Sequence, residues 1–140
     1  MAVKRILAVD DNELVLSFLE AGLATAGYDV DTATNGREAL EKIDQSAYDV
    51  IISDVDMPEL DGLALCRVLG QRDAGALRRV VLLTGSDAIW THRAFLDEAG
   101  IHALAKPVGL QHLFDVVGCV AETAHCDLAA SSGEVRARSY

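Results

Sequence analysis

The chain has 140 residues, of which 51% are hydrophobic, and a formal net charge of −10 from 22 acidic and 12 basic side chains. This length suits one domain with a packed core, and the apolar fraction excludes an intrinsically disordered chain. The acidic balance disfavours binding to nucleic acid or to an anionic membrane, and the chain has no apolar run of about 18 residues that would span a bilayer.

The N-terminal residues and the cysteines together indicate a cytoplasmic protein. The opening stretch MAVKRILAVDDNE turns acidic after a short strand-like run, which is unlike a secretory signal peptide. Cys66, Cys119 and Cys126 are odd in number and lack CxxC spacing. This pattern favours buried or free thiols in a reducing compartment.

Short β-rich runs alternate with helical patterns along most of the chain. The run YDVIIS is apolar without alternation, which is typical of a central parallel strand, whereas YDVDTA is more polar and is expected to be partly exposed. Asn35 and Glu38 stand three residues apart, as in a capping box. The predicted strands cover 3–9, 28–33, 48–53, 79–84 and 102–105, and the predicted helices cover 13–27, 36–46, 63–72, 87–99 and 110–125.

Five strands alternating with five helices predict an α/β fold. The βαβ units give a five-stranded parallel sheet that is doubly wound, with helices on both faces. Ligands of such sheets bind beyond the carboxyl ends of the strands, at a topological switch point. Residues 1–124 are predicted to form this single domain, and residues 125–140, which are small, polar and charged, to form a C-terminal tail or linker stub.

Chemically active side chains end or follow four of the five predicted strands. Asp10 and Asp11 follow the first strand, Asp54 follows the third, Thr84 ends the fourth and Lys106 follows the fifth. An acidic pair, a lone carboxylate, a hydroxyl and an ammonium are therefore expected at one edge of the sheet. The first strand runs into DDNE rather than into GxGxxG or a P-loop, which argues against nucleotide binding.

Crowded carboxylates repel one another unless a cation or phosphoryl chemistry requires them. Each residue also has a purely structural alternative. Asp10 and Asp11 could open the first helix, and Asp54 could be a turn residue before Pro58. Thr84 alone would be an ordinary strand residue, and Lys106 alone a solvated surface lysine.

The motifs VDD, DVDMPELDG, TG and KP occur in this order, each at the end of its own predicted strand. Together they resemble the receiver (phosphoacceptor) domain of two-component response regulators, over about residues 3–124. The resemblance implies a CheY-like, flavodoxin-like fold. It also implies that the protein takes a phosphoryl group from a sensor histidine kinase or a histidine phosphotransfer protein, and then signals by contact with a downstream protein or output domain.

The resemblance assigns a role to each active side chain. Asp54 is the nucleophile and phosphoacceptor, and Lys106 and Thr84 contact the phosphoryl oxygens. Mg²⁺, a hard cation that prefers oxygen ligands, neutralises the developing charge. Its implied ligands are Asp11, Asp54 and the backbone carbonyl of Asp56, with Asp10 acting through water. The protein is then not an enzyme in the usual sense, although it assists its own phosphorylation and dephosphorylation, and it binds neither nucleic acid nor membrane directly.

The sequence departs from the family pattern at Ala103 and at Val108, which follows the KP motif where Phe is common, and two other functions remain as alternatives. Ala103 stands where family members usually carry Tyr or Phe, three residues before the lysine, so transmission of the signal by a moving ring is not expected. The chain could be the N-terminal receiver of a longer regulator with a DNA-binding or enzymatic output. Asp54 and Asp56 also match the Asp-x-Asp of haloacid-dehalogenase-type phosphatases, but the order of the motifs is reversed and no cap insertion is present.

Overall fold

The structure, a computed structural model, describes residues 4–57, 60–85, 93–106 and 109–123. Within these ranges five strands alternate with five α-helices, as the sequence predicts. The strands are β1 (Arg5–Val9), β2 (Asp29–Ala33), β3 (Val50–Asp54), β4 (Val80–Thr84) and β5 (His102–Ala105). The helices are α1 (Glu13–Thr25), α2 (Gly36–Gln45), α3 (Gly62–Arg72), α4 (Arg93–Ala99) and α5 (Leu110–Thr123), with a 3₁₀ helix at Ala74–Arg79.

All five strands lie in one parallel sheet with the order β2-β1-β3-β4-β5. The chain moves outward from β1 to β2 and then returns to the other side of β1 to form β3. This reversal creates a switch point above the carboxyl ends of β1 and β3, which is where parallel sheets bind their ligands.

Each face of the sheet carries its own apolar core. One core contains side chains from α1 and α5, and the other contains side chains from α2, α3 and α4. Every residue of β3 is buried, whereas β2 is mostly half-exposed, which confirms the sequence assignment of a central and a more exposed strand. The predicted doubly wound α/β sheet is therefore confirmed.

Side-chain caps begin two of the helices shortly after strand ends. Asn12 accepts the N–H of Leu14 at 2.9 Å and starts α1. Asn35 accepts the N–H of Glu38 at 2.8 Å and starts α2, while the carboxylate of Glu38 reaches back to the N–H of Thr34 at 2.6 Å rather than to Asn35 itself. These caps satisfy N–H groups that have no partner within the helix.

Several predicted boundaries differ from the structure. Helix α1 ends at Thr25, two residues before Gly27, whose φ of +101° closes the turn into β2. The 3₁₀ helix between α3 and β4 was not predicted. The predicted start of the fourth helix at 87 and the predicted tail at 125–140 lie outside the described residues. No helix in the described ranges is long and apolar enough to cross a membrane.

A polar network ties the amino ends of β1, β2 and β3 together, at the edge opposite the switch point. Tyr48 donates a hydrogen bond to Asp31 Oδ2 at 2.7 Å, and Arg5 Nη2 lies 2.8 Å from the same oxygen. The backbone N–H of Arg5 donates to Asp49 Oδ2 at 2.8 Å. Burial raises the pKa of Tyr48 to about 12, and the hydrogen bond to Asp31 adds to this rise.

The substitution Tyr48→Phe is expected to reduce the free energy of unfolding at neutral pH by about 1 kcal/mol, because one buried hydrogen bond is lost. Since the folded pKa lies above the ordinary tyrosine value, the neutral phenol contributes its full stability below about pH 10. That contribution falls as the pH rises towards about 12. Denaturant titrations between these pH values should show that the free energy of unfolding changes less with pH in the variant than in the wild type. Equal pH dependence in the two proteins would contradict the assignment.

Candidate functional site

Three carboxylates meet at the carboxyl ends of β1 and β3. Asp10, Asp11 and Asp54 each offer an oxygen, and these oxygens lie within 4.8 Å of one another. Asp10 and Asp54 are only 2% and 7% exposed, whereas Asp11 is exposed. The structure thus brings together the acidic groups that the sequence placed at two different strand ends.

The register of the sheet explains why Asp10 and Asp54 are neighbours. Val9 pairs with Ser53 across β1 and β3, so the residue that follows each of them lies beside the other. The carboxylate of Asp10 is also fixed by the backbone that follows β1, because its Oδ1 accepts the N–H of Asn12 at 2.9 Å. The buried part of the acidic cluster is therefore positioned by backbone geometry.

Lys106 and Thr84 reach the same edge from β5 and β4. The ammonium Nζ of Lys106 lies 3.1 Å from Oδ1 of Asp54, and the backbone N–H of Lys106 donates to the Thr84 carbonyl at 2.8 Å. The buried Oδ1 accepts no hydrogen bond from the described residues, so its contact with Lys106 is an ion pair and not a hydrogen bond. Thr84 is 1% exposed at the last position of β4.

Asp56 lies in the loop that follows β3, and its side chain is exposed. Its carboxylate is not part of the acidic cluster formed by the described residues. The loop is closed by a hydrogen bond from the Gly62 N–H to the Val55 carbonyl at 3.0 Å. A Cβ on Gly62 would lie 3.0 Å from Val55 Cα and still closer to the Asp54 carbonyl oxygen, so only glycine fits there.

Burial and the neighbouring carboxylate both disfavour the charged form of Asp10. Burial raises the pKa of Asp10, and the nearby Asp54 carboxylate raises it further, while the hydrogen bond from the Asn12 N–H opposes the rise. A divalent cation would relieve this repulsion. The donor set consists of carboxylate oxygens close enough to share one ion, which fits a hard cation such as Mg²⁺.

Asp10→Asn is expected to raise the Tm of the metal-free protein by a few degrees at neutral pH, because it removes one buried negative charge while Asn12 keeps an acceptor. The raised pKa means that the folded state binds this proton more tightly than the unfolded chain. The charged form of Asp10 therefore destabilises the wild-type protein as the pH rises through that pKa, and this effect is absent in acid. Thermal unfolding at neutral and acidic pH tests this, and a Tm that falls at neutral pH would contradict it.

Ala103, which stands where the family usually has Tyr or Phe, is buried. Ala103 is 1% exposed and lies in the core on the face covered by α2, α3 and α4. Phe95 of α4 packs against the same core, and its ring lies 5.5 Å from the guanidinium carbon of Arg67. Trp90, Pro58 and Pro107 lie outside the described residues.

Two supports of the site were missed by the sequence analysis. Asp61 caps α3 by accepting the N–H of Ala64 at 2.8 Å, and an Asp directly before a helix could have indicated it. Gly36, at the start of α2, lies against the backbone of Leu60. No local pattern predicts that second contact, because the two residues are far apart in the chain.

Residues 6–118 of the chain match the family described as response regulator receiver domain. The match covers most of the chain, and the protein belongs to this family of two-component signal transduction receivers. The family assignment confirms the resemblance drawn from the four motifs, and the dehalogenase-type alternative is not retained.

Two similar curated proteins are regulators by name, and both are longer than this chain. The chain is 38% identical to the response regulator MprA of Mycobacterium leprae, over 91% of this chain and 55% of that protein. It is 32% identical to the alkaline phosphatase synthesis transcriptional regulatory protein PhoP of Bacillus subtilis, over 95% of this chain and 54% of that protein. The chain thus spans about half the length of these curated relatives.

A solved structure with the same fold carries a metal complex. The response regulator TrrA of Thermotoga maritima, in complex with Mg²⁺ and BeF, is 33% identical with a TM-score of 0.72. The superposition covers 84% of this chain and 99% of that one.

Proposed function

We propose that Asp54 accepts a phosphoryl group from a phosphohistidine donor. The observation that carries this proposal is the pairing of one buried carboxylate with an ammonium 3.1 Å away, at the switch point of a receiver-family sheet. A carboxylate can attack phosphorus and form an acyl phosphate, while the donor imidazole leaves with the electron pair of its P–N bond. Lys106 and the Thr84 hydroxyl then contact the transferred oxygens.

The proposed cation is Mg²⁺. Asp11 and Asp54 would hold it directly with the backbone carbonyl of Asp56, and Asp10 would act through a bound water. The ion supplies charge neutralisation for the phosphoryl oxygens. The support for this proposal is the cluster of three carboxylates, together with the Mg²⁺ complex of the Thermotoga relative.

The phosphoryl donor is proposed to be a protein, a sensor histidine kinase or a histidine phosphotransfer protein. Leu14 is 81% exposed and Phe18 is 59% exposed, and both lie on α1, which begins directly after the acidic pair. Large apolar side chains at such exposure are suited to contact with a partner surface. A donor that docks there would lie beside the helix that begins after the Asp10 and Asp11 pair.

The receiver is proposed to occupy residues 1–124 in the cytoplasm, with 125–140 as a tail or linker. Its output would pass by conformational change to a downstream protein or to an output domain. The second possibility, a receiver at the N-terminus of a longer regulator, is favoured by the relatives' length and by the transcriptional role in the name of the Bacillus protein. The domain itself is proposed to be a phosphoacceptor without turnover of external substrates.

Incubation with acetyl phosphate tests the proposed chemistry. The intact mass should increase by one phosphoryl group when Mg²⁺ is present and should not change when EDTA removes the cation. Uptake of several groups, or uptake that is equal in EDTA, would contradict a single Mg²⁺-dependent site.

A further inference from the structure

We infer that Gly36 is a positioning residue for the proposed Mg²⁺ and phosphoryl site, although it lies on α2 and touches none of the reacting groups. This inference rests on the proposed function above. It concerns the contact between the first turn of α2 and the loop that carries Asp56.

The geometry at Gly36 leaves no space for a side chain. A Cβ at this position would lie 2.9 Å from the Leu60 Cβ and 3.0 Å from its Cδ2, and closer still to the Leu60 carbonyl oxygen. Gly36 is buried and its φ is not positive, so its backbone conformation is open to any residue. Glycine is required here by the close approach of another chain segment and not by backbone strain.

Leu60 belongs to the loop that runs from β3 to α3. This loop is closed at its base by the hydrogen bond between the Gly62 N–H and the Val55 carbonyl. Asp56 follows Val55 directly, and its carbonyl is one of the proposed Mg²⁺ ligands. The loop is therefore fixed at its base by Gly62 and supported at Leu60 by the start of α2.

The segment that leads into α2 also contacts the acidic cluster, through a backbone hydrogen bond from Asp10. Ala33, three residues before Gly36, accepts the backbone N–H of Asp10 at 3.1 Å. A Cβ on Gly36 would force one of two movements. If Leu60 moves, the nearby Gly62 and the Val55 carbonyl that its N–H holds, next to Asp56, move with it, and if α2 moves, the Ala33 carbonyl that accepts the Asp10 N–H moves.

Because either movement disturbs the cation ligands, Gly36→Ala is expected to weaken Mg²⁺ binding about tenfold, as is usual for residues that orient metal ligands. Calorimetric Mg²⁺ titration measures this change. Amide exchange without metal should be faster in residues 55–57 and 60–62, a readout independent of phosphorylation.

Gly70→Ala is the matched control. A Cβ there would lie 2.9 Å from Leu77 Cδ1, which is the end of a flexible side chain. Gly70 stands on the order of 12 Å along α3 from Gly62, the end of the helix that lies against the Asp54 carbonyl. This variant should change stability but leave Mg²⁺ affinity and exchange in residues 55–57 as in the wild type.

Leu60→Ala keeps the test decisive if Gly36→Ala does not fold. It removes the side-chain part of the contact from a half-exposed position, and it should also weaken Mg²⁺ binding and accelerate exchange in residues 60–62. A folded Gly36→Ala with wild-type Mg²⁺ affinity would overturn the inference, and so would an unfolded Gly36→Ala beside a Leu60→Ala of wild-type affinity. A wild-type protein that binds no Mg²⁺ would instead overturn the proposed function, and this inference with it.

Discussion

Asp54→Asn is expected to take up no phosphoryl group from acetyl phosphate at any Mg²⁺ concentration. The amide has the shape of the carboxylate but lacks the anionic oxygen that attacks phosphorus. Because Asp54 is buried beside Lys106, the substitution changes the chemistry of one fixed position and little of the surrounding packing. Intact mass spectrometry after incubation with the donor measures the loss.

Asp44→Asn is the control for this experiment. Asp44 is an exposed acid at the far end of α2, where it pairs with Arg72. The control should be phosphorylated as fast as the wild type, which excludes a general effect of removing one negative charge. Uptake by Asp54→Asn equal to that of the wild type would show that another group is the acceptor.

Asp11→Ala is expected to weaken Mg²⁺ binding by about a hundredfold or more, because it deletes one of the two proposed direct side-chain ligands. Asp11 is exposed, so its truncation should leave the fold and its stability nearly unchanged. Mg²⁺ titration by calorimetry compares the variant with the wild type. The control is Glu13→Ala, an exposed acid in the first turn of α1 that is not part of the carboxylate cluster.

Lys106→Ala should act in the opposite direction on the cation. Its ammonium lies 3.1 Å from Asp54 Oδ1 and would compete with the proposed Mg²⁺ for that carboxylate. The variant should bind Mg²⁺ as tightly as the wild type or more tightly, while phosphorylation slows. If Asp11→Ala binds Mg²⁺ normally, the cation site is not at this edge of the sheet.

The architecture was predictable because the distribution of apolar and polar residues differs clearly between the central and the edge strands. The run before Asp54 contains Val50, Ile51 and Ile52 without polar alternation, and all residues of β3 are buried in the structure. The polar run at 28–33 forms the edge strand β2, which is mostly half-exposed. In each case the pattern of apolar residues reports directly how many faces of a strand are covered.

The 3₁₀ helix and the true helix ends could not be predicted in the same way. AGALRR has too few apolar residues to show a period, and its conformation follows from the Asp73 cap and from packing of Leu77 into the core. The contact between Gly36 and Leu60 depends on how two distant segments meet, which no local pattern encodes.

For the candidate site, the sequence predicted which residues converge but not how they differ. Asp10 and Asp11 are adjacent acids with the same local context. In the structure Asp10 is buried and accepts a hydrogen bond from the Asn12 N–H, whereas Asp11 is exposed. The two carboxylates are therefore suited to different roles. That difference arises from the sheet register and the start of α1, both of which are tertiary features.

The central claim, that Asp54 is the phosphoacceptor, is tested most directly by locating the acyl phosphate itself. Borohydride reduces an aspartyl phosphate to homoserine and releases inorganic phosphate, so the modified residue can be identified by peptide mass spectrometry. After phosphorylation in Mg²⁺, homoserine should be found at position 54 and should be absent when the donor is omitted. Homoserine at position 10, 11 or 56, or a stable phosphate on Ser53 or Thr84 with none at 54, would contradict the account.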